Sequence, residues 1–122
     1  MPANSNNGQL GASDPNPFYI TGLIDAEGCF MVEVSNGKKI VFALRFAIKL
    51  HNVDLPLLKK IQAFFGAGSI TIKDGYANYR VSKLDDIMRV IIPHLVNYPL
   101  QSAKLIDFYL WRQCGIKKKF KR

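Results

Sequence analysis

Twice in this chain, two sets of residues alternate up to a two-residue turn signal, one set wholly apolar and the other mostly polar, small or basic, and the alternation then resumes. In the first instance Phe30, Val32 and Val34 point one way and Met31, Glu33 and Ser35 the other, up to Asn36-Gly37. Beyond that turn Phe42, Leu44, Phe46, Ile48 and Leu50 form one face, and Val41, Ala43, Arg45, Ala47 and Lys49 form the other. In the second instance Ile70 and Ile72 alternate with Ser69, Thr71 and Lys73 up to Asp74-Gly75, and Ala77, Tyr79 and Val81 then alternate with Asn78 and Arg80. A period of two belongs to strands, and a two-residue turn joins only antiparallel neighbours. Four strands in two hairpins therefore exclude a parallel α/β sheet and an all-helical fold.

The segments around the hairpins carry helical spacing. Asn16 caps a helix whose first residue is Pro17 and which Gly28 ends. Its interior, Ile20 to Glu27, holds little polarity, which predicts burial on most sides. Gly22 and Ala26 lie four apart on one face, where small residues let a second helix approach closely. Asp54 caps a helix through Phe65. Ser82 and Asp85 form an S-x-x-D cap for a helix from Lys83, which Pro93 kinks or shortens. Tyr98-Pro99 breaks the chain before a last helix near Leu100 to Cys114. The predicted fold class is α+β, a four-stranded antiparallel sheet with helices on one face. It occupies residues 15–114, between a flexible arm (1–14) and a basic tail (115–122).

Helices on one face leave the other face of the sheet to solvent or a partner, and charge decides between them. The 122 residues hold 17 Lys and Arg against 9 Asp and Glu, a net of +8 and a pI near 9.7. Residues 1–28 carry −3 and no basic residue, while residues 29–122 carry +11. Such a balance favours a polyanion and disfavours basic substrates. The outward candidates are Ser35, Lys38, Lys39, Arg45, Ala47, Lys49, Ser69, Thr71, Lys73, Asn78 and Arg80. A two-stranded ribbon fits the major groove. Its outward side chains recur about every 6.6–6.8 Å, close to two base-pair steps.

Other functions are disfavoured. No apolar run approaches the roughly 20 residues of a membrane span. Residues 1–17 lack the pattern of a secretory signal or transit peptide, which leaves synthesis inside an organelle open. Cys29 and Cys114 are too few for a disulfide framework or a cysteine-based zinc site, which predicts a reducing compartment. His51 and His94 have no metal-ligand spacing and read as structural or surface residues.

The stretch Ile20-Thr21-Gly22-Leu23-Ile24-Asp25-Ala26-Glu27-Gly28 resembles the LAGLIDADG motif of homing endonucleases. Ile20 replaces a Leu of that motif, Thr21 an Ala, and Glu27 the second acid. Asn16-Pro17, Cys29-Phe30, Leu50-His51-Asn52-x-Asp54 and Tyr98-Pro99-Leu100 followed by Lys104 are similar to the flanks of fungal organellar members. The resemblance implies the αββαββα fold of that family. It implies that motif helices of two domains pack side by side through Gly22, Leu23, Asp25 and Ala26, with Asp25 in a structural role. It implies that Glu27 holds a divalent metal, Mg²⁺ by oxygen preference, and that Lys104 stabilises charge or positions water. Ala47 stands where relatives often carry a Gln, which removes one polar contact.

One motif supplies one metal-binding acid and half a saddle. The resemblance therefore implies a homodimer on a near-palindromic DNA site, cutting both strands by metal-dependent phosphodiester hydrolysis. The alternative partner is a second LAGLIDADG domain, this chain being half of a two-motif enzyme. The competing functions are an RNA-binding intron maturase and a half domain that binds DNA without cutting. An organelle-encoded, mitochondrial origin is the matching localisation.

Overall fold

The computed structural model describes residues 14–38 and 40–120, so that residues 1–13 of the arm, Lys39 and residues 121–122 lie outside the described residues. Helix α1 (Pro17–Glu27) starts as its sequence dictates: the Asn16 side chain accepts from Phe18 N at 2.8 Å, and Pro17 sits at the first position. Strand β1 (Gly28–Asn36) leaves the helix without a linker. A Cβ on Gly28 would stand 2.7 Å from both Ile24 Cγ2 and Ile24 O, so only glycine allows that direct exit.

Strand β2 (Ile40–His51) pairs with β1, Phe30 opposite Phe46 and Met31 opposite Arg45. A 3₁₀ turn (Asn52–Asp54) then leads into α2 (Leu55–Phe65). His51 caps that turn, its Nδ1 accepting from Val53 N at 3.2 Å. Asp54 occupies the N-cap of α2 but makes no side-chain cap bond. Strands β3 (Ser69–Lys73) and β4 (Tyr76–Val81) form the second hairpin. The sheet is wholly antiparallel in the order β1-β2-β4-β3, so the second strands of the two hairpins meet at its centre. Helix α3 (Leu84–Asp86), α4 (Ile92–Asn97) and α5 (Lys104–Phe120) complete the chain.

One core fills the side of the sheet that the helices cover. Ile20 and Ile24 from α1, Leu44, Phe46 and Ile48 from β2, and Ala77, Tyr79 and Val81 from β4 are all buried in it. Phe108 and Trp111 of α5 close it over Phe30, with ring centroids 5.6 and 4.9 Å from that ring. The indole N–H of Trp111 donates to Met31 O at 2.9 Å, so burying it leaves no donor unpaired.

Several expectations change. Val32, Val34, Phe42 and Ile72 lie on the predicted side but are exposed, because the helices cover the middle of the sheet and not the hairpin ends. Lys83, rather than Ser82, is the N-cap of α3, and it makes no side-chain cap bond. The disturbance due to Pro93 lies upstream, as a π-helical turn (Ile87–Ile91) between α3 and α4. Proline brings no N–H to the Arg89 carbonyl and crowds it, and the wider turn makes room. The last helix begins at Lys104 rather than Leu100 and continues through Phe120, so Lys117, Lys118 and Lys119 are helical. Finally, α1 buries only Ile20, Thr21 and Ile24. Its other face is uncovered.

Gly68 gives a direct test of this packing. Its φ is +92°, and a Cβ there would stand 2.6 Å from the Tyr79 ring and 2.8 Å from Arg80 O. Gly68→Ala is expected to lower unfolding stability by at least about 2 kcal/mol, from strain and clash together. Chemical denaturation checks this; a change below about 0.5 kcal/mol, the scale of an ordinary surface substitution, would contradict it.

Candidate functional site

Two features meet in this fold: a cationic sheet face and the end of α1. On the sheet, register sets the side chains in rows. Ser69, Arg80, Ala47 and Cys29 form one row across all four strands. Thr71, Asn78 and Lys49 form the next, and Lys73, Tyr76 and His51 the third. Lys49, Thr71, Lys73, Asp74, Tyr76, Asn78 and Arg80 line a groove of about 440 Å³. The Lys49 ammonium lies 4.7 Å from the Tyr76 ring centroid, which steers a long flexible cation. Toward the first hairpin tip, Arg45 Nε donates to Glu33 Oε1 at 2.9 Å.

Most predicted contact residues stand on this face. Ser35, Lys38, Lys49, Ser69, Thr71, Lys73 and Arg80 are exposed, and Arg45 and Asn78 are half-buried. Lys39 lies outside the described residues. Ala47 must be corrected: it is 8 % exposed between Cys29 and Arg80, its methyl too short to reach past them. Tyr76 and His51 stand on the same face without having been named among the contact candidates. Their signal was available, since Tyr76 is the outward position preceding Asn78 and His51 the one following Lys49.

At the end of α1, Glu27 is exposed. Among the described residues no hydrogen bond or ion pair engages its carboxylate. A helix C-terminus carries partial negative charge, so a free carboxylate there favours a cation. The Lys104 ammonium donates to the carbonyl oxygen of Gly28, the next residue. Lys104, far from Glu27 in sequence, is thus bonded to the residue next to it.

Asp25 holds Lys104 in place. Its carboxylate accepts from Gln101 N at 2.8 Å, Ser102 N at 3.1 Å and Ser102 Oγ at 2.6 Å. Ser102 Oγ in turn accepts from Lys104 N at 3.1 Å. Asp25 therefore belongs to an internal clamp on the turn before α5. Partial burial raises its pKa, but the Ser102 hydroxyl, the two backbone N–H groups and the Lys104 charge outweigh this and hold the carboxyl below its usual range.

The sign follows from linkage. A lowered native pKa stabilises the fold above the ordinary carboxyl value near about pH 4, and that contribution is lost as pH falls through the native value. Asp25→Asn is expected to cost about 1–2 kcal/mol at neutral pH and to flatten acid unfolding. A variant with the acid sensitivity of the wild type would contradict the clamp.

Behind α1 a buried polar pair anchors the helix. Thr21 Oγ1 donates to Tyr98 O at 2.8 Å and lies 3.1 Å from His94 Nε2. Burial lowers the His94 pKa to about 4, against a smaller raising effect of the Pro17 carbonyl, so the ring is neutral. The structural reading of His94 holds, and Thr21 in place of a motif Ala is part of the same anchor. The outer face of α1 presents Phe18, Tyr19, Gly22 and Ala26, all exposed, with Leu23 half-buried. A Cβ on Gly22 would meet nothing within 4 Å.

A family profile described as LAGLIDADG endonuclease matches residues 20–115. The chain belongs to the LAGLIDADG endonuclease family. A Podospora anserina protein described as an uncharacterized 50.9 kDa protein in ND4 intron 1 is 35 % identical over 106 residues, 80 % of this chain and 23 % of its own length. A probable intron-encoded endonuclease of Neurospora crassa is 34 % identical over 101 residues, 79 % of this chain and 19 % of its own length. The LAGLIDADG meganuclease I-AabMI bound to uncleaved DNA superposes with a TM-score of 0.80 at 37 % identity, over 86 % of this chain and 37 % of that one. The I-SmaMI LAGLIDADG homing endonuclease bound to cleaved DNA gives 0.83 at 31 % identity, over 96 % and 39 %. The LAGLIDADG fold is therefore the fold of this chain, which spans about a quarter or less of these two curated relatives and under two fifths of these two solved ones.

Proposed function

We propose that this chain is a site-specific double-strand DNA endonuclease that works as a homodimer with a divalent metal. The observation that carries the reading is the junction of Glu27, Gly28 and Lys104 at the end of an uncovered apolar helix face. There the Lys104 ammonium bonds the carbonyl of Gly28, the residue after Glu27, whose carboxylate has no hydrogen bond or ion pair among the described residues. Among the described residues no three His, Cys, Asp or Glu side chains come together as a metal cage. A single carboxylate nevertheless suits Mg²⁺, which takes one or two carboxylates and completes its shell with water and phosphate oxygens. A second copy brings the second carboxylate.

Such a cation, when bound, supplies the positive charge and the more acidic water that phosphodiester hydrolysis needs. The chain's own residues do the rest. Glu27 holds the cation at the helix end. Lys104 keeps N–H donors beyond its bond to Gly28 O, with which to stabilise charge building on the phosphate. Asp25 fixes the turn from which Lys104 reaches. Lys49, Lys73 and Arg80 supply the electrostatic attraction that dominates DNA affinity, and Ser69, Thr71 and Asn78 supply hydrogen bonds to base edges. Origin in a fungal mitochondrial intron is the matching proposal, supported by the intron-encoded relatives.

The test is a randomised duplex library incubated with the purified chain and Mg²⁺, its new ends sequenced. Double-strand ends at a recurring near-palindrome support the reading. Binding without ends, or nicks at random sequence, overturns it.

A further inference from the structure

The cations of the sheet face are not alike. Lys49, Lys73 and Arg80 make no ion pair among the described residues, whereas Arg45 is paired with Glu33. A free cation is drawn to phosphates. A cation already neutralised by a carboxylate gains little from them, and the exposed Glu33 repels them. What remains to Arg45 is its directional donors. Glu33 occupies Nε, and among the described residues no hydrogen bond engages the two terminal nitrogens. These form a planar fork that matches the O6 and N7 acceptors of guanine.

The surroundings suit that role. Arg45 is flanked along its strand face by Ala43 and Ala47, and its side chain is 27 % exposed, so most of it is packed. Glu33 comes from the neighbouring strand, opposite Ala43, and limits the orientations the guanidinium can take. A fixed fork loses less rotamer freedom on contact than a free one.

We propose that Arg45, aligned by Glu33, reads one guanine in the major groove of each half-site, while the unpaired cations of the same face hold the backbone. This rests on the DNA-interface reading above and assigns base identity within it. The pair sets specificity at the expense of affinity, and that trade makes it testable.

Selection from a randomised duplex library, with titrations at several salt concentrations, separates the cases. The wild type should enrich a guanine at one position, repeated symmetrically. Arg45→Ala should lose that preference by roughly 5- to 150-fold and leave the other positions intact. Arg45→Lys keeps the charge without the fork and should lose the same preference with little change in salt slope. Glu33→Gln should raise affinity for all sequences about two- to tenfold while weakening the guanine preference.

Uniform loss across sequences for Arg45→Ala, with the salt slope falling by about one, would make Arg45 a phosphate contact and overturn the proposal. So would a Glu33→Gln variant that binds more tightly with its guanine preference unchanged. Failure of the wild type to bind any duplex at low salt would overturn the DNA interface itself.

Discussion

Glu27→Gln is expected to reduce Mg²⁺-dependent DNA cleavage on the order of 10³-fold or more, with duplex affinity within about twofold of wild type. Glutamine keeps the volume and loses the charge. Nothing in the fold depends on that charge, since among the described residues no ion pair or hydrogen bond uses it. Thermal stability should therefore be unchanged, which separates a lost cation from a lost fold. Cleavage rates on the selected site, beside binding by the same protein without metal, measure both. A variant that still cuts, or one that stops binding, would remove Glu27 from the chemistry.

Gly22→Leu is expected to abolish pairing of two chains without unfolding either. The open space at Gly22 means a larger side chain costs the single chain nothing. Against a second α1 the same side chain occupies the line of closest approach between two backbones, where Gly22 and Ala26 leave room. We expect association to weaken at least about 100-fold, the range of a well-placed interface substitution. Cleavage should fall with it, because each chain brings one candidate metal-binding carboxylate, Glu27. A Gly22→Leu protein that is unfolded by circular dichroism would contradict the open face; one that still pairs would place the interface elsewhere.

How far the sequence led can be seen residue by residue. Period-two alternation assigned Leu44, Phe46, Ile48, Ala77, Tyr79 and Val81 to one side, and all of them are buried there, because the pleat forces it. It could not say how far the helices cover that side, so Val32, Val34, Phe42 and Ile72 proved exposed. Nor does it carry the strand order β1-β2-β4-β3, which depends on how α2 returns the chain across the sheet. The apolarity of α1 was read as burial on most sides, yet only Ile20, Thr21 and Ile24 are buried. A helix apolar all round has two faces to cover, and this chain covers one.

At the candidate site, Glu27 and Lys104 were singled out only through the motif and its flank, and the structure adds a bond from Lys104 to the Gly28 carbonyl beside Glu27. Asp25 was legible as structural but not as a clamp on Ser102, because the bond spans 77 positions and local pattern does not reach that far. Ala47 failed for a simpler reason: alternation assigns a side, and side-chain length decides what reaches beyond its neighbours. The end of α5 was placed too early because the lysines of 117–119 were assigned to a basic tail beyond the helix. Basic residues suit the last turn of a helix, where they meet its negative end.

The central claim is that this chain is half of an active unit, completed through the uncovered face of α1. Sedimentation of the wild-type chain on its selected duplex, without metal so that nothing is cut, tests it most directly. The account predicts a complex with the mass of two chains on one duplex, reduced in Gly22→Leu to one chain or none. A wild-type complex that saturates at one chain per duplex would contradict it.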